Sequence, residues 1–282
     1  MPFTTIISVA ELALHVEDPE WVIVDARFKL DDKGKGRADY ETAHIPGAVY
    51  AHLEEDLSGP VIKGVTGRHP LPSVDKVSQV FSRFGIDTSV QVVAYDDMGG
   101  TMAAARVWWL LGWMGHAAVA VLDGGWQQWL KLQLPVRGGV ERRPGRQFIP
   151  HHRDEWIVTA DQVDRMRQDP HQRVLDARSA DRFRGENETI DPLPGHITGA
   201  ISAPYAGNLD SEGRFLPREQ LSERYRKLLG DVPVDKVVVY CGSGVTAAHD
   251  ILAMKLAGMG EAGLYAGSYS EWITHPERPV AK

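Results

Sequence analysis

The 282-residue chain holds a single cysteine, and its neighbours decide what it could do. Cys241 follows the apolar run Val237-Val-Val-Tyr240 and precedes Gly242-Ser243-Gly244-Val245-Thr246-Ala247. A buried strand that runs into a glycine-rich turn and then a helix places its last residue where open α/β sheets bind ligands. Gly242 and Gly244 can take positive φ, so the turn can curl with its N–H groups facing inward. The helix that starts near Val245 adds its positive end and its free N–H groups. Such a cradle favours a thiolate, which is the nucleophilic form of cysteine, and would hold an anionic persulfide equally well. A free cysteine is most often a small buried hydrophobe. It is the Gly-x-Gly turn at the strand–helix junction that favours nucleophilic chemistry here.

The elements that position this turn occur twice. Trp21-Val-Ile-Val-Asp-Ala-Arg27 matches Arg173-Val-Leu-Asp-Ala-Arg178, and Ala43-His-Ile-Pro-Gly-Ala48 matches Gly195-His-Ile-Thr-Gly-Ala200. Val92-Val-Ala-Tyr-Asp-Asp97 aligns with Val238-Val-Tyr-Cys-Gly242 when Tyr95 is set on Tyr240. Leu122-Asp-Gly-Gly-Trp-Gln-Gln-Trp129 aligns with Tyr265-Ala-Gly-Ser-Tyr-Ser-Glu-Trp272. Four blocks recur in one order, with a period of about 150 residues, which marks a duplicated domain rather than a solenoid repeat. Where the second half has Cys241 the first has Asp96, which cannot act as a sulfur nucleophile. One copy keeps the chemistry and the other serves as scaffold. His44 and His196 occur in both copies, as do Asp25–Arg27 and Asp176–Arg178, so a role in the fold is expected for them.

Each half reads as α/β. VIVDA, VVAYD and AVAVLD are short apolar runs bounded by Gly, Asp and Pro, as expected of buried parallel strands. Met102 to Leu111 is rich in helix formers, and Gly112 is expected to stop that helix. Trp108 and Trp109 within it read as core. Strand, helix and strand in this order imply a right-handed crossover onto a parallel sheet. Val136 to Arg146 carries glycines, a proline and arginines, and reads as a solvated connector. The expected organisation is an N-terminal domain over 1–138, a linker over 139–157 and a catalytic C-terminal domain over 158–282.

Bulk properties narrow the function. A net charge of -7 argues against a general nucleic-acid binder. No apolar run is long enough for a membrane span. Glu11, Glu17, Asp18 and Glu20 interrupt the N-terminal segment, unlike a secretory signal. One cysteine leaves neither an internal disulfide nor a multi-cysteine zinc site, and no metal is expected. A reducing, cytoplasmic compartment is the expectation.

The duplicated His-Ile-x-Gly-Ala blocks, the silent Asp96 and the loop Cys241-Gly-Ser-Gly-Val-Thr-Ala247 together resemble the rhodanese family over nearly the whole chain. The loop is similar to that of 3-mercaptopyruvate sulfurtransferases, whereas thiosulfate-using animal rhodaneses carry basic side chains there. The resemblance implies two tandem rhodanese-like domains, each a parallel sheet flanked by helices, with the active site in a cleft between them and no organic cofactor. It implies a ping-pong reaction. Cys241 takes sulfane sulfur from a small anionic donor, 3-mercaptopyruvate or thiosulfate. The persulfide then passes to cyanide or to a thiol, such as that of a thioredoxin-like protein. Neither nucleic acid nor membrane is an expected partner.

Residue by residue, the resemblance makes Arg182 the holder of the donor carboxylate. It makes Gly242, Gly244, Val245 and Thr246 the loop that lines the substrate, although Thr246 also reads as a helix N-terminal hydroxyl. A second family arginine, nine residues after the first, is Asp191 here; Arg184 either compensates or is turned to solvent by the local helix or strand geometry. Arg68-His69-Pro-Leu-Pro72 resembles the segment that carries a histidine to the site. Ser243 matches the loop serine, and Glu54 falls where the family has an aspartate. Glu54, His69 and Ser243 would then relay a proton. Plainer readings are a surface loop for His69, a solvated carboxylate for Glu54 and a backbone cap for Ser243.

Two other functions are separable. A cysteine-dependent phosphatase needs an arginine after five intervening residues, where this chain has Ala247. Hydrolysis of an aryl phosphate would reveal such an activity. A sulfur carrier that does not turn over would show no multiple turnover with a small donor alone.

Overall fold

A computed structural model describes residues 1–282, which fold as two compact units. The first comprises Met1–Gly59, Pro72–Arg153 and Ser211–Arg214; the second comprises Pro60–Leu71, Asp154–Asp210 and Phe215–Lys282. Pro60–Leu71 lies in the first half of the sequence, inside the 1–138 span read as the N-terminal domain, yet it belongs to the second unit.

The first unit runs β1 (Ile6–Ile7), α1 (Val9–Ala13), β2 (Trp21–Asp25), α2 (Lys35–Thr42), β3 (Val49–Tyr50), α3 (Val74–Arg83), β4 (Gln91–Tyr95), α4 (Ala103–Trp113), β5 (Val119–Leu122) and α5 (Gly125–Lys131). Its five strands form one parallel sheet in the order β1-β5-β4-β2-β3. Central strand β4 is buried at every position, as a sheet covered on both faces requires. Ile7, Ile23, Val93, Leu122, Trp126 and Trp129 fill one core beneath the sheet. Trp108 and Trp109 are buried.

Helix α4 does not stop at Gly112. It runs on to Trp113, and Gly115, at φ +90°, ends the turn that follows. A glycine inside a helix costs only about 1 kcal/mol, which buried tryptophan packing readily offsets. The connector is largely exposed, as expected, yet it is held in place. Arg137 pairs with Glu141 at 2.8 Å, Arg146 with Glu20 at 3.2 Å and Asp87 at 3.3 Å, and Gly139 N–H donates to Glu41 O at 2.7 Å. These bonds pin it along the first unit.

The second unit runs α6 (Ala160–Met166), β6 (Arg173–Asp176), α7 (Ala180–Phe183), β7 (His196–Ile197), β8 (Ile201–Ser202), α8 (Arg218–Leu229), β9 (Val237–Tyr240), α9 (Ala247–Leu256), β10 (Gly263–Leu264), α10 (Ser268–Trp272) and β11 (Val280–Ala281). Thr159 and Gln162 form a reciprocal capping box that fixes the start of α6. Four strands form a parallel sheet in the order β10-β9-β6-β8, and β11 pairs antiparallel with β7. Val163, Val174, Val238, Tyr240, Tyr265, Tyr269 and Trp272 make its core.

The two units repeat each other in detail. Asp25 faces Tyr95 across β2–β4, and Asp176 faces Tyr240 across β6–β9. Arg27 grips Asp25 at 2.7 Å and reaches Ala43 O; Arg178 grips Asp176 at 2.6 Å and reaches Gly195 O. His44 stacks on Tyr40 and bonds its carbonyl, as His196 does with Phe183. These pairs tie strand ends to neighbouring loops, which is the expected role in the fold.

Candidate active site

Cys241 directly follows β9 and is buried, with 3% of its surface exposed. Its backbone is fixed from both sides. Its N–H donates to Ser268 Oγ at 3.1 Å, and its carbonyl accepts from Tyr269 N–H at 3.0 Å. Ser268 passes the bond on to Tyr265 O at 2.9 Å while holding φ at +56°, where the first unit has Gly125 at +55°. The turn then curls at Gly244, at φ +75°, and Gly244 N–H donates to Cys241 Sγ at 3.2 Å. A side chain at Gly244 would collide with the carbonyl of Ala266, so the close approach as well as the φ requires glycine. Val245 is buried, and Thr246 takes the N-cap position of α9 without capping it through its side chain. The helix proper begins at Ala247, because the curl consumes Val245 and Thr246.

The corresponding turn of the first unit shows what such a loop can hold. Asp96 accepts N–H bonds from Met98 (2.9 Å), Gly100 (2.8 Å), Met102 (3.0 Å) and Ala104 (3.2 Å). Burial pushes this carboxyl up, and the four N–H groups oppose that. The curled turn is therefore an anion cradle, filled by a side chain in one copy and carrying a thiol in the other.

His69 is buried, not a surface histidine, and its Nδ1 lies 2.8 Å from Ser243 Oγ. The segment that delivers it packs on the N-terminal end of α10. Arg68 N–H donates to Ser270 Oγ at 3.1 Å, and a side chain at Gly67 would strike Gly267 O. Ser243 is thus engaged with histidine rather than acting as a backbone cap. Glu54 pairs with Lys33 at 2.8 Å in the first unit.

Arg182 lies on α7. Its Nε and Nη2 fork onto Glu188 at 2.9 and 3.0 Å, and Nη2 also donates to Asp191 at 2.9 Å. Burial works against the charge of Glu188, yet Arg182 and the N–H groups of Asp191 and Ile190 hold its carboxyl below the ordinary range. Arg184 does not join this group. It caps α7, is more than half exposed and forks onto Glu186 at 2.7 Å. Residues two apart on a helical turn do not share a face, so Arg182 and Arg184 diverge.

Sequence reasoning missed the partner of Arg182. Arg68 donates through Nη1 to the other oxygen of Asp191. A methyl built on Gly242 would lie 2.7 Å from Arg68 Nη2 and 3.6 and 3.8 Å from Nη2 and Nη1 of Arg182. Two guanidinium groups thus meet above the residue next to Cys241. Ser268 was missed as well, and only its alignment with a glycine could have drawn attention to it.

A thiol on an inward-facing turn, a hydroxyl–imidazole couple and two arginines equip this unit for nucleophilic attack on a small anion. The fold and the site define a duplicated α/β protein whose second unit carries the only thiol, at its curled turn. The Rhodanese-like domain family matches residues 8–132 and again 159–275, and the chain belongs to that family. It is 46% identical, over 100% of its length and 99% of the relative's, to a probable 3-mercaptopyruvate sulfurtransferase of Pseudomonas aeruginosa. It is 33% identical to the human 3-mercaptopyruvate sulfurtransferase, over 92% of this chain and 88% of that one. Among solved structures it resembles SseA of Escherichia coli, a 3-mercaptopyruvate sulfotransferase. The TM-score is 0.82 at 31% identity, covering 95% of this chain and 100% of the other. The protein is a sulfurtransferase. No helix is long and apolar enough to cross a membrane.

Proposed function

We propose that the protein moves sulfane sulfur from 3-mercaptopyruvate, in preference to thiosulfate, through a persulfide on Cys241 to a thiol or cyanide acceptor. The observation that carries this reading is the Gly244 N–H bond to Cys241 Sγ in a turn overlooked by Arg182. Relatives at 46% and 33% identity bear the 3-mercaptopyruvate name, and the loop side chains here are neutral. A reducing, cytoplasmic compartment suits a lone thiol that must stay free to take up sulfur.

In the first half-reaction the Cys241 thiolate forms a bond to the donor sulfur. The carbon–sulfur bond of mercaptopyruvate breaks, and its electron pair goes to carbon as the enolate of pyruvate. That enolate takes up the proton released by the donor thiol, and pyruvate leaves. The Ser243–His69 couple is the proposed carrier of this proton. With thiosulfate the sulfur–sulfur bond breaks, its electron pair leaves as sulfite, and no proton is needed. Inward N–H groups hold the new persulfide anion in a site shielded from water. An acceptor thiolate or cyanide then attacks the outer sulfur and returns Cys241 as thiolate.

The test is steady-state turnover with each donor and cyanide, scored as thiocyanate. Mercaptopyruvate should give the higher kcat/KM, and Cys241→Ser should give none with either donor. A preference for thiosulfate would refute the donor, and substantial residual turnover in Cys241→Ser would refute the carrier.

A further inference from the structure

Asp191 stands where a basic residue was expected, and its carboxylate is fully buried between two arginines that are themselves partly open, with side-chain exposures of 28% for Arg68 and 18% for Arg182. One oxygen accepts from Arg68 Nη1 and the other from Arg182 Nη2. Glu188 takes Nε and the remaining hydrogen of Nη2 of Arg182. The groups left over are Nη1 of Arg182 and Nη2 of Arg68, and both lie within reach of the face of Gly242. Nε of Arg68 is buried without a hydrogen-bond partner.

We propose that Asp191 is the specificity-determining residue of the donor site. It locks Arg68 and Arg182 together so that their remaining N–H groups converge above Gly242, making Arg68 the second donor-binding arginine. With Glu188 it also cancels the charge of the pair. A donor then meets directed hydrogen bonds but little net positive charge. That combination suits one planar carboxylate and gives little extra attraction to a dianion such as thiosulfate. The inference rests on the donor reading above, in naming what makes the site prefer a monoanion.

Two variants and two kinds of probe test it. Asp191→Asn keeps the shape and one acceptor oxygen but removes the charge. It should raise kcat/KM for thiosulfate relative to mercaptopyruvate by about tenfold. Arg68→Gln should raise KM for mercaptopyruvate by about tenfold, with a smaller change in kcat. Independently of any sulfur donor, the rate of Cys241 alkylation by iodoacetate relative to neutral iodoacetamide should rise in Asp191→Asn and fall in Arg68→Gln. A donor ratio and an alkylation ratio both within twofold of wild type in Asp191→Asn would overturn the proposal, as would an unchanged mercaptopyruvate KM in Arg68→Gln. Wild-type preference for thiosulfate with altered alkylation ratios would leave the charge clamp standing and remove only its link to mercaptopyruvate. Normal preference with unaltered ratios would remove the clamp alone.

Discussion

Asp96 and Cys241 occupy the same place in two copies of one fold, each at the end of the strand beside the aspartate–arginine pair. The carboxylate takes four backbone N–H bonds, and the thiol takes one from Gly244. Each carbonyl is held by a residue of its own copy, Trp126 N–H on Asp96 and Tyr269 N–H on Cys241, and these two donors align with each other. Duplication supplied two anion cradles, and one was closed with a built-in carboxylate.

Asp96→Ala leaves four backbone donors without their acceptor, those of Gly100 and Ala104 buried and those of Met98 and Met102 partly so. Each unsatisfied buried group costs about 1–3 kcal/mol, part of which relaxation of the loop recovers. The expected loss is about 3 kcal/mol of stability in urea unfolding, with the rate of Cys241 alkylation unchanged.

Gly244→Ala forces a methyl onto the Ala266 carbonyl at a φ that alanine disfavours. The turn must open, and the N–H bond to Sγ goes with it. Persulfide formation should fall by about a hundredfold, in line with removing one directed donor from an anionic site. Circular dichroism should show both sheets retained, and near-wild-type sulfur uptake would argue that the curl is not required.

Arg182→Ala removes an arginine held by a fork from Glu188 and by Asp191. A charge-assisted pair of this kind is worth about 2–3 kcal/mol. The kcat/KM for mercaptopyruvate should therefore drop by about 30- to 100-fold, and less for thiosulfate. Equal losses with the two donors would assign Arg182 some other task.

His69→Ala and Ser243→Ala break the 2.8 Å couple. Only the mercaptopyruvate reaction has a thiol proton to relocate. General acid–base assistance contributes about 100-fold or more, so kcat with mercaptopyruvate should fall by at least that factor. Turnover with thiosulfate should stay within a few-fold of wild type.

Asp250, on α9, gives a pH signature. Burial raises its carboxyl to about 7, opposed by Arg224, Asn208 and Tyr225. Asn208 Nδ2 donates to one oxygen at 2.6 Å, and the other oxygen has no partner. A raised acid binds its proton more tightly in the folded protein than in the unfolded chain. Its contribution to stability is therefore fully present below about pH 4, fades as pH rises towards 7 and is flat above. Asp250→Asn should flatten that part of the profile and unfold at higher urea than wild type at pH 8. An unchanged difference between pH 5 and pH 8 would contradict this.

The repeated blocks made the fold legible, because Asp25–Arg27 and Asp176–Arg178 do the same job in both copies and so kept the same spelling. The thiol loop was legible from Gly244, which takes the expected positive φ; Gly242 does not, and a side chain there would instead crowd Arg68 Nη2. Pro60–Leu71 was not, because an irregular segment carries no periodicity that tells which sheet it will join. The Arg68–Asp191 bridge spans 123 residues of sequence and leaves no local trace. Gly112 misled because the cost of a glycine inside a helix is small beside the burial of Trp108, Trp109 and Trp113. For Arg184 the solvent-facing alternative holds, because residues two apart on a helical turn point away from each other.

Every step of the proposed reaction passes through sulfur carried on Cys241. Intact-protein mass spectrometry after brief exposure to mercaptopyruvate, with no acceptor present, reads it directly. The predicted result is a gain of one sulfur atom, mapped by peptide analysis to Cys241, absent in Cys241→Ser and removed by cyanide with stoichiometric thiocyanate. Continued turnover with no sulfur ever found on the protein would contradict it.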